Sequence, residues 1–166
     1  MNNQAYCQIA PEKISHPEVV EQLRRSIVRG ESPEDALWQA VTAYQQHQFF
    51  TSSGLPFSYT LHLNKQGKYT AELLISRKEG SKTLTRSSIL LAFDKVLQDS
   101  EIQPDSHIIP PEYKGPKAIG QIFGISYVYS LFYEFGLIKV PVGIATKMSG
   151  EFFENQQKIL DIWPDI

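Results

Sequence analysis

The sequence predicts an α+β fold, a two- or three-stranded antiparallel sheet with about five helices packed mainly on one face. Three observations carry that expectation. Phe57, Tyr59, Leu61 and Leu63 recur at period two, and Tyr69, Ala71, Leu73 and Ile75 answer them across the turn Asn64-Lys65-Gln66-Gly67, the pattern of a half-buried hairpin. Segments before and after this hairpin carry apolar residues at helical spacing, bounded by helix start and stop signals. The hairpin is apolar on one side and polar on the other, so it needs a cover on one face only.

The first element is a helical hairpin over residues 15–48. Ser15-His16-Pro17-Glu18 opens its first helix, and Ser15 and Glu18 have the spacing of a capping box. Val19, Val20, Leu23 and Ile27 form the apolar stripe, and Gly30 ends it. Ser32-Pro33-Glu34-Asp35 opens the second helix, with proline at the first helical position and acids at the positive end of the dipole. Leu37, Ala40, Val41 and Tyr44 make its inner face.

The turn-rich connector Thr51–Pro56 leads to a β-hairpin plus helix over residues 57–98. Ser58, Thr60, His62 and Asn64 line the outer face of the first strand; Thr70, Glu72 and Ser76 continue that face on the second. A lone hairpin is marginal in water. The alternation of Ile138, Val140, Val142 and Ile144 suggests a third strand, placed at an edge by Pro141. Thr85 caps a third helix running to about Gln98, with Ile89, Leu90, Phe93, Val96 and Leu97 inward. Residues 100–116, with Pro104, Pro110, Pro111 and Pro116, read as an irregular crossing segment. A core helix over 117–135 and a C-terminal helix over 149–163, stopped by Pro164, complete the chain.

The 166 residues are expected to form one domain spanning 1–166. A chain of that length buries roughly 70% of the surface its unfolded state exposes, so it needs no metal or disulfide staple. Apolar content of 42% with 20% charged residues excludes wholesale disorder. The single cysteine, Cys7, forms no internal disulfide and fits a reducing compartment. The start MNNQAYCQIAPEK lacks the basic and apolar regions of a secretion signal. The longest uncharged run, Ala118–Tyr133, falls short of the ~20 apolar residues of a membrane span. A cytoplasmic location with no membrane contact is therefore expected.

The net charge of −2 gives no global attraction to a polyanion. Its distribution is uneven. Residues 1–56 hold four basic and six acidic side chains, residues 57–99 seven and four, and residues 100–166 five and eight. The middle third is a positive island. Within it Lys65, Lys68, Arg77, Lys78, Lys82 and Arg86 face only Glu72 and Glu79 in sequence. Phosphate backbones favour such arrays because each neutralised phosphate releases a condensed counterion. Thr83, Thr85, Ser87 and Ser88 add donors at a helix start, where anions are stabilised. These six cations are the nucleic-acid-binding candidates. Ordinary solvation of hairpin tips and protection of strand edges by lysine account for the same residues without a ligand. By order of elements, the small sheet followed by a helix resembles the sheet-reading DNA-binding domains of the plant AP2 type and the amino-terminal domains of some phage integrases.

Strand geometry divides the island. Lys65 and Lys68 lie at one end of the second strand, and Arg77 and Lys78 are about 30 Å away at strand rise. Arg77, Lys78, Lys82 and Arg86, beside the capped helix start, are the stronger group.

Lys117-Ala118-Ile119-Gly120-Gln121-Ile122-Phe123-Gly124-Ile125-Ser126 resembles a helix-turn-helix, with Gly124 in the turn and Ser126 as the second cap. The helix that would read bases, however, presents Tyr127, Val128 and Tyr129, and no arginine or lysine occurs from Ala118 through Ile138. Ser130 occupies a position where that motif usually buries an aliphatic residue. Two other expectations follow for this stretch. One is a central buried helix, apolar on most faces. The other is a protein-interaction or oligomerisation surface using Tyr127, Tyr129, Phe132 and Tyr133, residue types that dominate interface hot spots. The partners expected are accordingly nucleic acid, a second copy, or another protein.

Catalysis finds little support. His16, His47, His62 and His107 are scattered, with no histidine or cysteine at metal-ligand spacing. No nucleophile elbow, P-loop or dinucleotide cradle is present. No cofactor or metal is expected. His62 and Glu72 are expected to meet across the polar face of the hairpin.

Overall fold

The computed structural model describes residues 16–151. Helix α1 (His16–Arg29) buries Val19, Leu23 and Ile27, and Gly30 follows it. Helix α2 (Pro33–Ala43) packs against it and buries both its expected face and Trp38. Ser15, and with it the predicted capping box, lies outside the described residues.

Four strands form an antiparallel meander in the order β1 (Phe49–Phe50), β2 (Pro56–Leu63), β3 (Tyr69–Arg77), β4 (Gly80–Thr85). The predicted hairpin is β2–β3, with Tyr59 opposite Ile75 and Leu61 opposite Leu73. Its apolar face ends sooner than the alternation implies. The register shifts between Leu61 and Leu63, and Leu63, Tyr69 and Ala71 are exposed where the hairpin tip extends beyond its cover. Asn64 shapes that tip by accepting the N–H groups of Gln66 and Lys68 at 2.9 and 3.0 Å.

Strand β4 occupies a stretch that reads as loop. Lys78 and Glu79 turn the chain, Gly80 adopts φ +104°, and the strand returns with Lys82 opposite Ile75 and Leu84 opposite Leu73. Thr85 then caps α3 (Arg86–Asp99), its Oγ1 accepting from Ser88 N–H at 3.2 Å.

The expected strand at 138–144 does not form. Pro141 precedes helix α5 (Val142–Met148), and Lys139 makes only an isolated parallel bridge with Glu112. Four alternating residues fit a strand or a helix start. Here Pro141, with φ fixed near −59°, starts the helix, which places Ile144 and Met148 one turn apart on its inner side. Strands β5 (Glu101–Ile102) and β6 (Ile108–Ile109) pair within the proline-rich segment.

The predicted core helix 117–135 is shorter than expected. A 3-10 turn at Pro116–Ala118 is followed by irregular backbone, and α4 runs only from Ile125 to Glu134. Gly124 marks the break, with φ +79° and no room for a side chain: a Cβ there would stand 2.8 Å from Leu84 Cδ1. The C-terminal helix predicted over 149–163 lies almost wholly outside the described residues.

One apolar cluster joins these elements. Phe57, Tyr59, Leu61, Leu73, Ile75 and Leu84 form the sheet's inner face, while Ser76, Ser81 and Thr83 on the other face are exposed. Val128, Tyr129, Leu131 and Phe132 of α4 and Phe93 of α3 are fully buried against it. Buried tyrosines fix relative positions through their hydroxyls. Tyr59 donates to Val41 O and Tyr129 to Tyr113 O, each at 2.6 Å. Among the described residues no helix is long and apolar enough to cross a membrane.

Candidate nucleic-acid interface

The meander sorts the six candidate cations into three places. Lys65 and Lys68 are exposed at the β2–β3 tip. Arg86 faces helix α2, with its guanidinium 5.3 Å from the Trp38 ring and 3.8 Å from Asp35 Oδ1. That arrangement fastens the start of α3 to α2, a structural task.

Arg77, Lys78 and Lys82 form the third group. Arg77 is opposite Gly80 and Lys82 is opposite Ile75, so both project from the inner face, diagonally across the β3–β4 pair. At this end of the sheet the inner face meets the start of α4 instead of a further layer of core. Arg77 donates to Tyr127 Oη at 3.4 Å, and Tyr127 packs edge-on against Phe57 with centroids 4.9 Å apart. Lys82 Nζ stands 5.1 Å from the centroid of Phe123, within cation–π reach. Lys78 sits exposed in the adjoining turn. The result is a lip of three cations and two aromatic rings.

Phe123 is 64% exposed. Sequence reasoning missed it as a site residue, although a signal exists. Ile119, Ile122 and Ile125 recur every three residues and turn inward, and Phe123 falls off that stripe. The electrostatic setting is one-sided. Around the β3–β4 turn, Arg77, Lys78 and Lys82 stand against Glu79 within six residues.

The aromatic residues proposed for a partner surface divide differently. Tyr129 and Phe132 are wholly inside the core, so neither presents a surface. Tyr127 and Tyr133 are half-buried and packed against the core, Tyr127 as part of the basic lip. The helix-turn-helix likeness loses its reading helix, because Val128 and Tyr129 face inward.

The scattered histidines are partly brought together. His16 stacks on Tyr44 at 3.9 Å and donates through Nε2 to Ala43 O at 3.1 Å. His47 meets both rings edge-on and places Nε2 3.8 Å from Glu134 Oε1. Burial lowers the His47 pKa, Glu134 opposes that shift, and His16 adds a smaller push downward. These rings bind α1, α2 and α4 to one another. His62 and Glu72 meet across the outer face as expected, at 3.7 Å. Among the described residues no three histidine, cysteine or acidic side chains gather as metal ligands do. A polar depression of about 460 Å³ between α1 and α2 is lined by Arg25, Arg29, Glu31 and Asp35, whose charges balance.

No family model, curated protein or solved structure matches this chain.

Proposed function

We propose that this protein binds nucleic acid through the lip formed by Arg77, Lys78 and Lys82 against the start of α4. The observation that carries the proposal is the β3–β4 register, which sets Arg77 and Lys82 on one face, Arg77 beside the half-buried Tyr127 and Lys82 beside the exposed Phe123. Cations supply the phosphate contacts, and aromatic faces accept bases irrespective of sequence. Lys65 and Lys68, at the far end of a nine-residue strand, act separately.

Three phosphate contacts give a modest affinity with a clear salt signature. For a single strand, the slope of log K against log salt is about −0.7 per contact, so roughly −2 in all. Fluorescence anisotropy with a labelled oligonucleotide across a salt series measures it. Lys78→Ala with Lys82→Ala should weaken binding and reduce the slope by more than one. Lys65→Ala with Lys68→Ala should leave both nearly unchanged. Equal effects from the two pairs, or no binding at low salt, would refute the proposal.

A further inference from the structure

We infer that the ligand of this lip is single-stranded and that Phe123 is the platform on which one unpaired base stacks, an inference that rests on the basic lip itself binding nucleic acid. Three features support it. Phe123 is a large apolar side chain left 64% exposed beside the cation Lys82. A peptide ligand would call for an apolar groove around such a ring; here the side chain at the ring is the cation Lys82.

The backbone on either side of the ring is also held in place. Ile122 before it packs against the core, and Gly124 after it turns at φ +79°, where a Cβ would stand 2.8 Å from Leu84 Cδ1. A backbone set before binding loses little freedom when a base arrives. Finally, Lys82 lies over one face of the ring at cation–π distance, so a base stacked on the opposite face would place its flanking phosphate within reach of that counter-charge. A duplex keeps its bases stacked on one another and offers such a ring no free face, whereas every unpaired base does.

The charge pattern would also suit an acidic protein segment, but such a ligand would have no need of the exposed ring. The test separates these cases. Full-length protein is titrated with a labelled mixed-sequence single-stranded 12-mer, with the 12-base-pair duplex of the same sequence, and with polyglutamate as competitor. The single strand should bind at least fivefold more tightly than the duplex. Phe123→Ala should lose roughly fivefold or more while keeping the salt slope, and circular dichroism should be unchanged because the ring lies outside the core. Phe123→Trp should retain binding, and its indole fluorescence should be quenched by the oligonucleotide. If Phe123→Ala binds like the parent while Lys78→Ala and Lys82→Ala weaken binding, the stacking role is wrong and the basic lip stands. A duplex bound as well as the single strand, or polyglutamate competing on equal terms, also overturns the inference. Absence of any binding at low salt removes the lip and the platform together.

Discussion

The Ser130 hydroxyl donates to the Phe50 carbonyl across 2.9 Å, tying the middle of α4 to the two-residue strand β1. Ser130 is 2% exposed in an otherwise apolar helix. A polar residue at that depth needs a partner, and β1 supplies the nearer of two, with Ser126 O one turn back in α4 at 3.3 Å. The same bond explains why a serine stands where a helix-turn-helix would bury an aliphatic side chain.

Ser130→Ala is therefore expected to cost about 0.5–1.5 kcal/mol, the net worth of one buried hydrogen bond. Ser130→Leu should cost about 1–3 kcal/mol by overpacking, although it restores the helix-turn-helix pattern. Urea denaturation measures both. An alanine variant as stable as the parent would show that the Phe50 contact contributes nothing.

The histidine cluster gives the stability a dependence on pH. His47 is held below the ordinary histidine value, chiefly by burial. A depressed folded pKa means that the unfolded chain binds the proton first. Stability is then complete above about pH 6.5 and declines as pH falls through the folded value. His47→Gln should flatten the fall of melting temperature on the acid side. Glu134→Gln should depress the His47 pKa further, because the carboxylate is the group that raises it, and a histidine NMR titration reads that shift directly.

Much of this architecture was legible in the chain. The alternation of β2 and β3, the Thr85 cap and the α1 stripe all rest on local chemistry that a sequence displays. Strand β4 was not legible. Gly80-Ser81-Lys82-Thr83-Leu84-Thr85 contains one large apolar side chain, and it becomes a strand because the Lys78-Glu79 turn returns it onto β3. Missing β4 also hid the lip. In sequence Lys82 is one cation among six, and only the ladder places it beside Arg77 and over Phe123. The reverse error occurred at 138–144, where alternation over four residues outweighed what Pro141 does at a helix start. Distant pairings such as His47 with Glu134 leave no local trace.

The buried tyrosines predict a loss of stability in alkali. Burial raises the Tyr129 pKa to about 12 and lifts Tyr59 well above the ordinary tyrosine value. Tyr113 is raised too, first by burial and then by its hydrogen bond to Asp99. A raised folded value means these hydroxyls stabilise the fold fully below about pH 10, and that contribution is lost as pH rises through the folded values. Near-ultraviolet absorbance should show the buried tyrosines ionising only as far-ultraviolet dichroism collapses. Ionisation of every tyrosine in one step near pH 10, with the fold intact, would contradict their burial.

Gly124 couples the fold to the lip, and its replacement should separate the two roles. Alanine there meets two obstacles. The left-handed backbone costs an L-residue about 1–2 kcal/mol, and the new Cβ would stand 2.8 Å from Leu84 Cδ1. Leu84 is 2% exposed between the sheet and α4, so it has little room to yield. Gly124→Ala is thus expected to cost more than the backbone term alone. Leu84→Ala relieves the contact but opens a cavity, at about 2–5 kcal/mol. In the double variant the steric part of the Gly124 penalty disappears, so the combined loss should fall short of the sum of the single losses. Denaturant midpoints for the four proteins close this cycle. Strict additivity would mean that backbone conformation alone makes glycine necessary. A coupling of the expected sign would mean that Leu84 on β4 helps set the turn presenting Phe123, so the strand that carries Lys82 also positions the ring beneath it.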